Sequence, residues 1–225
     1  MLRSGLALVL FGVAFGYVEA AVVVYLRHIY DPLRTALYPG RAQGELFPLI
    51  SIEQLPPEHL RLLTVELGRE AATLLMLSGA GLLAARRSCQ WLAGFAIAFG
   101  VWDITFYVFL KLLLNWPASL LTWDILFLIP VPWAAPVLAP VLVSAVMIVC
   151  GFIALSGDWA DRPMCASRWH WVGLIAGALV IIASFTRNYR TLMAGGPAEH
   201  FDWALFFAGL LTGIGTFTHA SLKRK

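Results

Sequence analysis

Six predominantly apolar runs, most of them about 20 residues long, constrain this chain more than any other feature. About 20 apolar residues is the length a helix needs to cross a hydrocarbon core. The runs fall at 5–26, 62–84, 90–114, 137–156, 171–186 and 202–218. The expected fold class is therefore all-α: a polytopic transmembrane helix bundle, one integral membrane domain over 1–225. Composition agrees, since charged residues are 13% of the chain, about half the roughly 25% of a soluble domain. The first run follows Arg3 as a secretory signal would, but it is too long for a signal h-region and reads as a span. A net charge of +3 gives no electrostatic footprint for nucleic acid; membrane lipid is the expected partner.

The stretch 102–140 interrupts this apolar pattern. It reads WDITFYVFLKLLLNWPASLLTWDILFLIPVPWAAPVLAP and carries Asp103, Lys111 and Asp124 among four tryptophans and five prolines. Charges and helix breakers at membrane depth are costly unless protein or a wet cavity surrounds them. The spacing predicts a short re-entrant or interfacial half-helix at about 117–130, too short to span. Interrupted segments of this kind mark sites that line a cavity.

Small residues let helices approach closely. Gly12, Gly16 and Ala20 recur every fourth residue in the first span, and Gly173/Gly177 and Gly209/Gly213 repeat that spacing. Glu19 shares the first stripe and should face the bundle. In the second span, Glu66 and Glu70 lie on one face, with Arg69 three residues from Glu66 and able to pair with it. Asp103, Tyr107 and Lys111 form a polar stripe on the third span. The connection 27–61 contains Pro32, Pro39, Pro48, Pro56 and Pro57, which should prevent one continuous helix. Its portion 46–52 is apolar enough to lie on the membrane interface.

Placed by depth at about 1.5 Å per residue, Asp103 lies near the centre of its span. Glu19 and Glu70 lie slightly to the outer side of theirs, and Glu66 and Tyr107 one turn further out. Asp124, Lys111, His200 and Asp202 belong to the outer connections. A lone charge at mid-bilayer costs about 2.5–3.5 kcal/mol, so three unpaired carboxylates would cost about 7–10 kcal/mol. They must be protonated, paired with Lys111 or Arg69, or compensated by a bound cation. The competing explanation is that acids and bases simply tie the helices together.

Glu19, Glu70, Asp103 and Asp124 are the candidate catalytic or proton-accepting groups. Glu19, Glu66, Glu70, Asp103, Asp124 and His200 are the candidate ligands of a divalent metal ion, the cofactor that oxygen donors would suit. Tyr107 and Lys111 would support the site, Lys111 by balancing charge or meeting an anionic headgroup. Trp102 and Trp123, each preceding an aspartate, would wall the cavity. Most of the other tryptophans fit an interfacial belt. His28 and His59 are expected to be solvated, and His170 and His219 to lie on the side away from the site.

Six spans place both termini on one side, with Arg3, Arg86, Arg87, Arg162, Arg168, Lys223, Arg224 and Lys225. The other side carries Lys111, Arg187 and Arg190, plus Arg27, Arg34, Arg41 and Arg61 in the long first connection. Charges in long connections weigh less, so both termini are assigned to the cytoplasm. Cys89 and Cys165 fall on that side and Cys150 in a span, which implies no disulfide framework. The chain has no HExxH, GxSxG, P-loop or CxxC motif.

The string WDITFYVFLKLLLNWPASLLTWDILFLIPVPW, with GYVEAAVVVYLR and GREAATLLML upstream, resembles an uncharacterised family of small bacterial polytopic inner-membrane proteins. The likeness covers about residues 16–145. It implies a cytoplasmic-membrane location in a bacterium and about six helices, and no activity.

The residues support a carboxylate-rich intramembrane site opening to the outer face, binding a cation or metal or a polar lipid-linked substrate. One rival is a small proton-coupled transporter; the absence of an internal repeat weighs against it. The other is a membrane subunit whose acids meet a partner's basic helix in a homo-oligomer or larger assembly.

Overall fold

A computed structural model describes residues 2–41, 45–85, 90–159, 166–197 and 200–223. The elements, in order, are α1 (Leu2–Leu37), a 3-10 turn (Ile52–Gln54), α2 (Pro57–Ala84), α3 (Gln90–Leu114), β1 (Trp123–Phe127) and β2 (Trp133–Pro136). Then follow α4 (Leu138–Trp159), α5 (Arg168–Thr186), α6 (Tyr189–Met193) and α7 (Trp203–Leu222). Arg86, Arg87, Cys89, Arg162, Cys165, Arg224 and Lys225, used above for orientation and redox state, lie outside the described residues.

Five of the helical stretches are long and apolar enough to cross a membrane: α1, α3, α4, α5 continuing through α6, and α7. The expected sixth span, α2, has the length but not the apolarity. Glu66, Arg69 and Glu70 interrupt it. It still runs beside the others, packed on α3 and touching α1.

Glycines set the closest helix contacts. A Cβ on Gly12 would lie 2.8 Å from Val101 Cγ1 and 3.0 Å from the Ala98 carbonyl, so α1 seats directly on α3. The Gly173/Gly177 and Gly209/Gly213 stripes meet each other. A Cβ on Gly177 would stand 2.9 Å from the Gly209 carbonyl oxygen. Such backbone approach is what small residues permit between apolar helices. Gly12 and Gly16 face residues 98–106 in ascending order, which makes α1 and α3 parallel; Gly81 faces 91–95, Gly100 faces 144–148 and Gly173 faces Thr216, so each of those pairs is antiparallel. α1 to α4 therefore alternate in direction, with α3 at the centre touching α1, α2 and α4. One end of the bundle collects the 45–56 segment, the hairpin and the turn before α7: Trp123 packs on both Phe47 and Phe201.

Two expectations need correction. The segment at 117–130 is not a half-helix. β1 and β2 form an antiparallel hairpin with Asp124 opposite Ala135 and a bulge between Ile125 and Phe127. The physical reason is that WDILF is rich in β-favouring side chains, while Pro117, Pro130, Pro132 and Pro136 leave too few N–H donors for a helix. Second, α1 does not stop near residue 26 but runs through Pro32 to Leu37. Its last turns are held by Arg34 against Asp31 (3.6 Å) and by the Tyr38 hydroxyl, which donates to the Leu49 carbonyl at 3.2 Å.

Candidate functional site

The extension of α1 changes the site. Residues Glu19, Val23, Arg27, Tyr30 and Arg34 now form one stripe down a single helix, and all of them line a cavity of about 680 Å³. This is within the roughly 300–1,000 Å³ of small-molecule sites. α2 contributes Glu66, Arg69 and Glu70, α3 contributes Trp102, Asp103 and Tyr107, and the hairpin contributes Asp124 to Ile129. The rest of the wall is chiefly apolar. Leu46, Leu49 and Ile52 close one end; Leu74, Phe95, Phe99, Met147 and Ala178 line the other.

Each acid in this wall has a protein partner. Arg69 pairs with Glu19 of α1 and with Glu66 one turn away on its own helix. Thr73 Oγ1 also donates to Glu19, at 3.4 Å. This ties α1 to α2 through a guanidinium shared by two carboxylates. Glu70 accepts the main-chain N–H of Leu128 at 2.8 Å and so caps the turn of the hairpin. Ser144 on α4 donates to Asp103 Oδ2 at 2.8 Å. The Tyr107 hydroxyl donates to Asp124 Oδ2 at 2.9 Å. A buried carboxylate needs such donors to remain in a low-dielectric wall.

The candidate residues thus fall into three groups. Glu19, Glu66, Glu70, Asp103, Tyr107, Asp124 and Trp102 all line the one cavity. Trp123 does not wall it, because its ring lies between Phe47 and Phe201 at the end of the bundle. Lys111 is exposed and turns back to the carbonyls of Asn115 (3.4 Å) and Pro117 (3.1 Å), so it balances none of the acids. His200 is exposed and is not part of the lining. Among the described residues, no three His, Cys, Asp or Glu side chains gather where they could hold a metal ion. Glu19 and Glu66 share Arg69, while Glu70, Asp103 and Asp124 each accept from a donor of their own.

Arg27, Arg34 and Tyr30 were missed as site residues because they were assigned to a polar connection. Arg27 is 8% exposed, and its guanidinium lies 4.3 Å from the centroid of the Trp116 ring. The available signal was their spacing, which continues the helical face of Glu19 and Val23 past Pro32. The indole N–H groups of Trp102 and Trp133, both cavity residues, have no acceptor among the described residues.

No family model, curated protein or solved structure matches this chain.

Proposed function

We propose that this protein is a bacterial inner-membrane protein, with both termini in the cytoplasm, that binds an amphiphile, a lipid or lipid-linked substrate, in its central cavity. The observation that carries this reading is the wall itself. It is long and chiefly apolar, and its charged groups lie toward the end capped by residues 46–55 and the hairpin. An acyl or prenyl chain suits the Phe95, Phe99 and Met147 end, and a polar head suits the Arg27, Tyr30 and Arg34 end. The same wall favours this ligand over the alternative of a bare metal ion, because Glu19, Glu66, Glu70, Asp103 and Asp124 are each already engaged by protein donors.

The test is lipid extraction and mass spectrometry of protein purified in a neutral maltoside detergent and washed extensively. The reading expects one species of amphiphile retained at close to one per chain. A washed protein that carries only a mixture proportional to the bulk membrane lipid would count against it.

A further inference from the structure

The amphiphile reading leaves the chemistry of the head open. We propose that the head is a phosphate ester, mono- or diphosphate, and that Arg27 and Arg34, which line the cavity at this end, receive it. This rests on the preceding reading for the tail alone.

Three arginines gather at the outer end of α1 and just beyond it. Arg27 is 8% exposed, and the side chains of Arg34 and Arg41 are 13% and 5% exposed. Arg34 lies within electrostatic range of both the others. Asp31 Oδ1 serves two of the three, at 3.0 Å from Arg41 Nη2 and 3.6 Å from Arg34 Nη1. Asp124 lies within range of Arg27 but already accepts from Tyr107. Asp31 and Asp124 both lie within range of Arg27, and Glu66 of α2 lies within range of Tyr30 beside it. Arg34 Nε and Arg41 Nη1 are buried donors with no acceptor among the described residues. Buried guanidinium donors of this kind are expensive to leave unmade.

The geometry also separates this cluster from the other arginine in the wall. Arg69 is already engaged by Glu19 and Glu66, so an incoming anion would meet two carboxylates there. Arg27 and Arg34 flank Tyr30 on the cavity side, where an oxyanion can reach both. A carboxylate offers one charge and two oxygens. A phosphate ester offers up to two charges and three oxygens, which can meet the forks of both Arg27 and Arg34. The Arg27 guanidinium stacks 4.3 Å from the centroid of the Trp116 ring, which fixes its plane.

The experiment uses the full chain in a neutral maltoside detergent. Dodecyl phosphate, dodecanoate, dodecanol, inorganic phosphate and pyrophosphate are titrated while tryptophan fluorescence and thermal midpoint are read. Dodecyl phosphate is expected to half-saturate at a concentration at least about tenfold below dodecanoate, and R27Q/R34Q to raise that concentration at least about tenfold. Arg34→Lys keeps the charge and loses the fork, so it is expected to fold and to bind several-fold more weakly. Equal binding of dodecyl phosphate and dodecanoate would overturn the proposal, and so would wild-type binding by R27Q/R34Q. If that double variant does not fold, wild-type affinity in Arg34→Lys has the same force. Pyrophosphate binding as tightly as dodecyl phosphate would keep the arginine site and remove the amphiphile. Dodecanol binding as tightly as dodecyl phosphate would do the reverse.

Discussion

The Tyr107 hydroxyl donates to Asp124 Oδ2 at 2.9 Å, and this bond fastens the β1–β2 hairpin to the central helix α3. Both residues are buried, at 6% and 5% exposure. Loss of the hydroxyl would leave a carboxylate oxygen without its donor inside the bundle. Tyr107→Phe is therefore expected to cost about 1–3 kcal/mol. Thermal unfolding in detergent checks this. In the double variant with Asp124→Asn the two effects should be less than additive; full additivity would show that the contact carries no energy.

Arg69 is the most heavily used side chain between α1 and α2. Arg69→Met strands Glu19 and Glu66 in the wall together, and breaking such a buried set costs about 3–5 kcal/mol. Adding Glu19→Gln and Glu66→Gln should restore much of that loss. A midpoint in Arg69→Met equal to that of the wild type would contradict the assigned pairing.

Glu70 acts on the hairpin from 58 residues away in sequence. Glu70→Ala should leave α2 intact and release the turn, since the capped N–H of Leu128 loses its acceptor. Hydrogen exchange is the readout: Leu128 should lose protection while the amides of α3 keep theirs. Uniform loss across the bundle would mean that Glu70 holds the helices rather than the turn.

Much of the architecture was legible because its causes are local. The third apolar run, 90–114, coincides with α3 (Gln90–Leu114), and the small-residue stripes at 173/177 and 209/213 do meet. Arg69 beside Glu66 could be read from a spacing of three. The hairpin could not. Its stability at depth depends on Glu70, Tyr107 and the helices around it, and no window of sequence contains those partners. Pro32 misled for a related reason. A proline inside a helix normally ends or kinks it, but here the tail beyond it is held by the contact of Tyr38 with Leu49 and of Arg41 with Asp31. A helix that ends near residue 26 makes Arg27 and Arg34 loop charges. The acids then stand without the α1 arginines, and acids alone suggest a metal.

Since Glu19, Glu66, Glu70, Asp103 and Asp124 are each engaged by protein donors, chelation should not weaken the fold. Treatment with EDTA is expected to leave the thermal midpoint unchanged, and Glu70→Gln should retain no less divalent metal than the wild type. A clear fall in the midpoint on chelation, restored by one divalent ion, would return the acids to the role of ligands.

Close backbone approach makes a further demand on α5 and α7. A Cβ at Gly177 would already crowd the Gly209 carbonyl at 2.9 Å. Gly177→Leu is therefore expected to separate the pair, at a cost in the range of about 1–3 kcal/mol seen for overpacking. Disulfide trapping between cysteines placed at Gly173 and Thr216 would report the separation as a slower cross-link. An unchanged rate would mean that the helices are not apposed there.

The claim on which the functional account stands is that the cavity is filled by an amphiphile. The direct measurement is native mass spectrometry of the wild type beside a variant in which Val143→Trp and Ile181→Trp occupy the apolar wall. The account predicts a discrete bound mass on the wild type and its loss from the filled variant, with the fold preserved by circular dichroism. An identical bound mass on both proteins, or none on either, would contradict it.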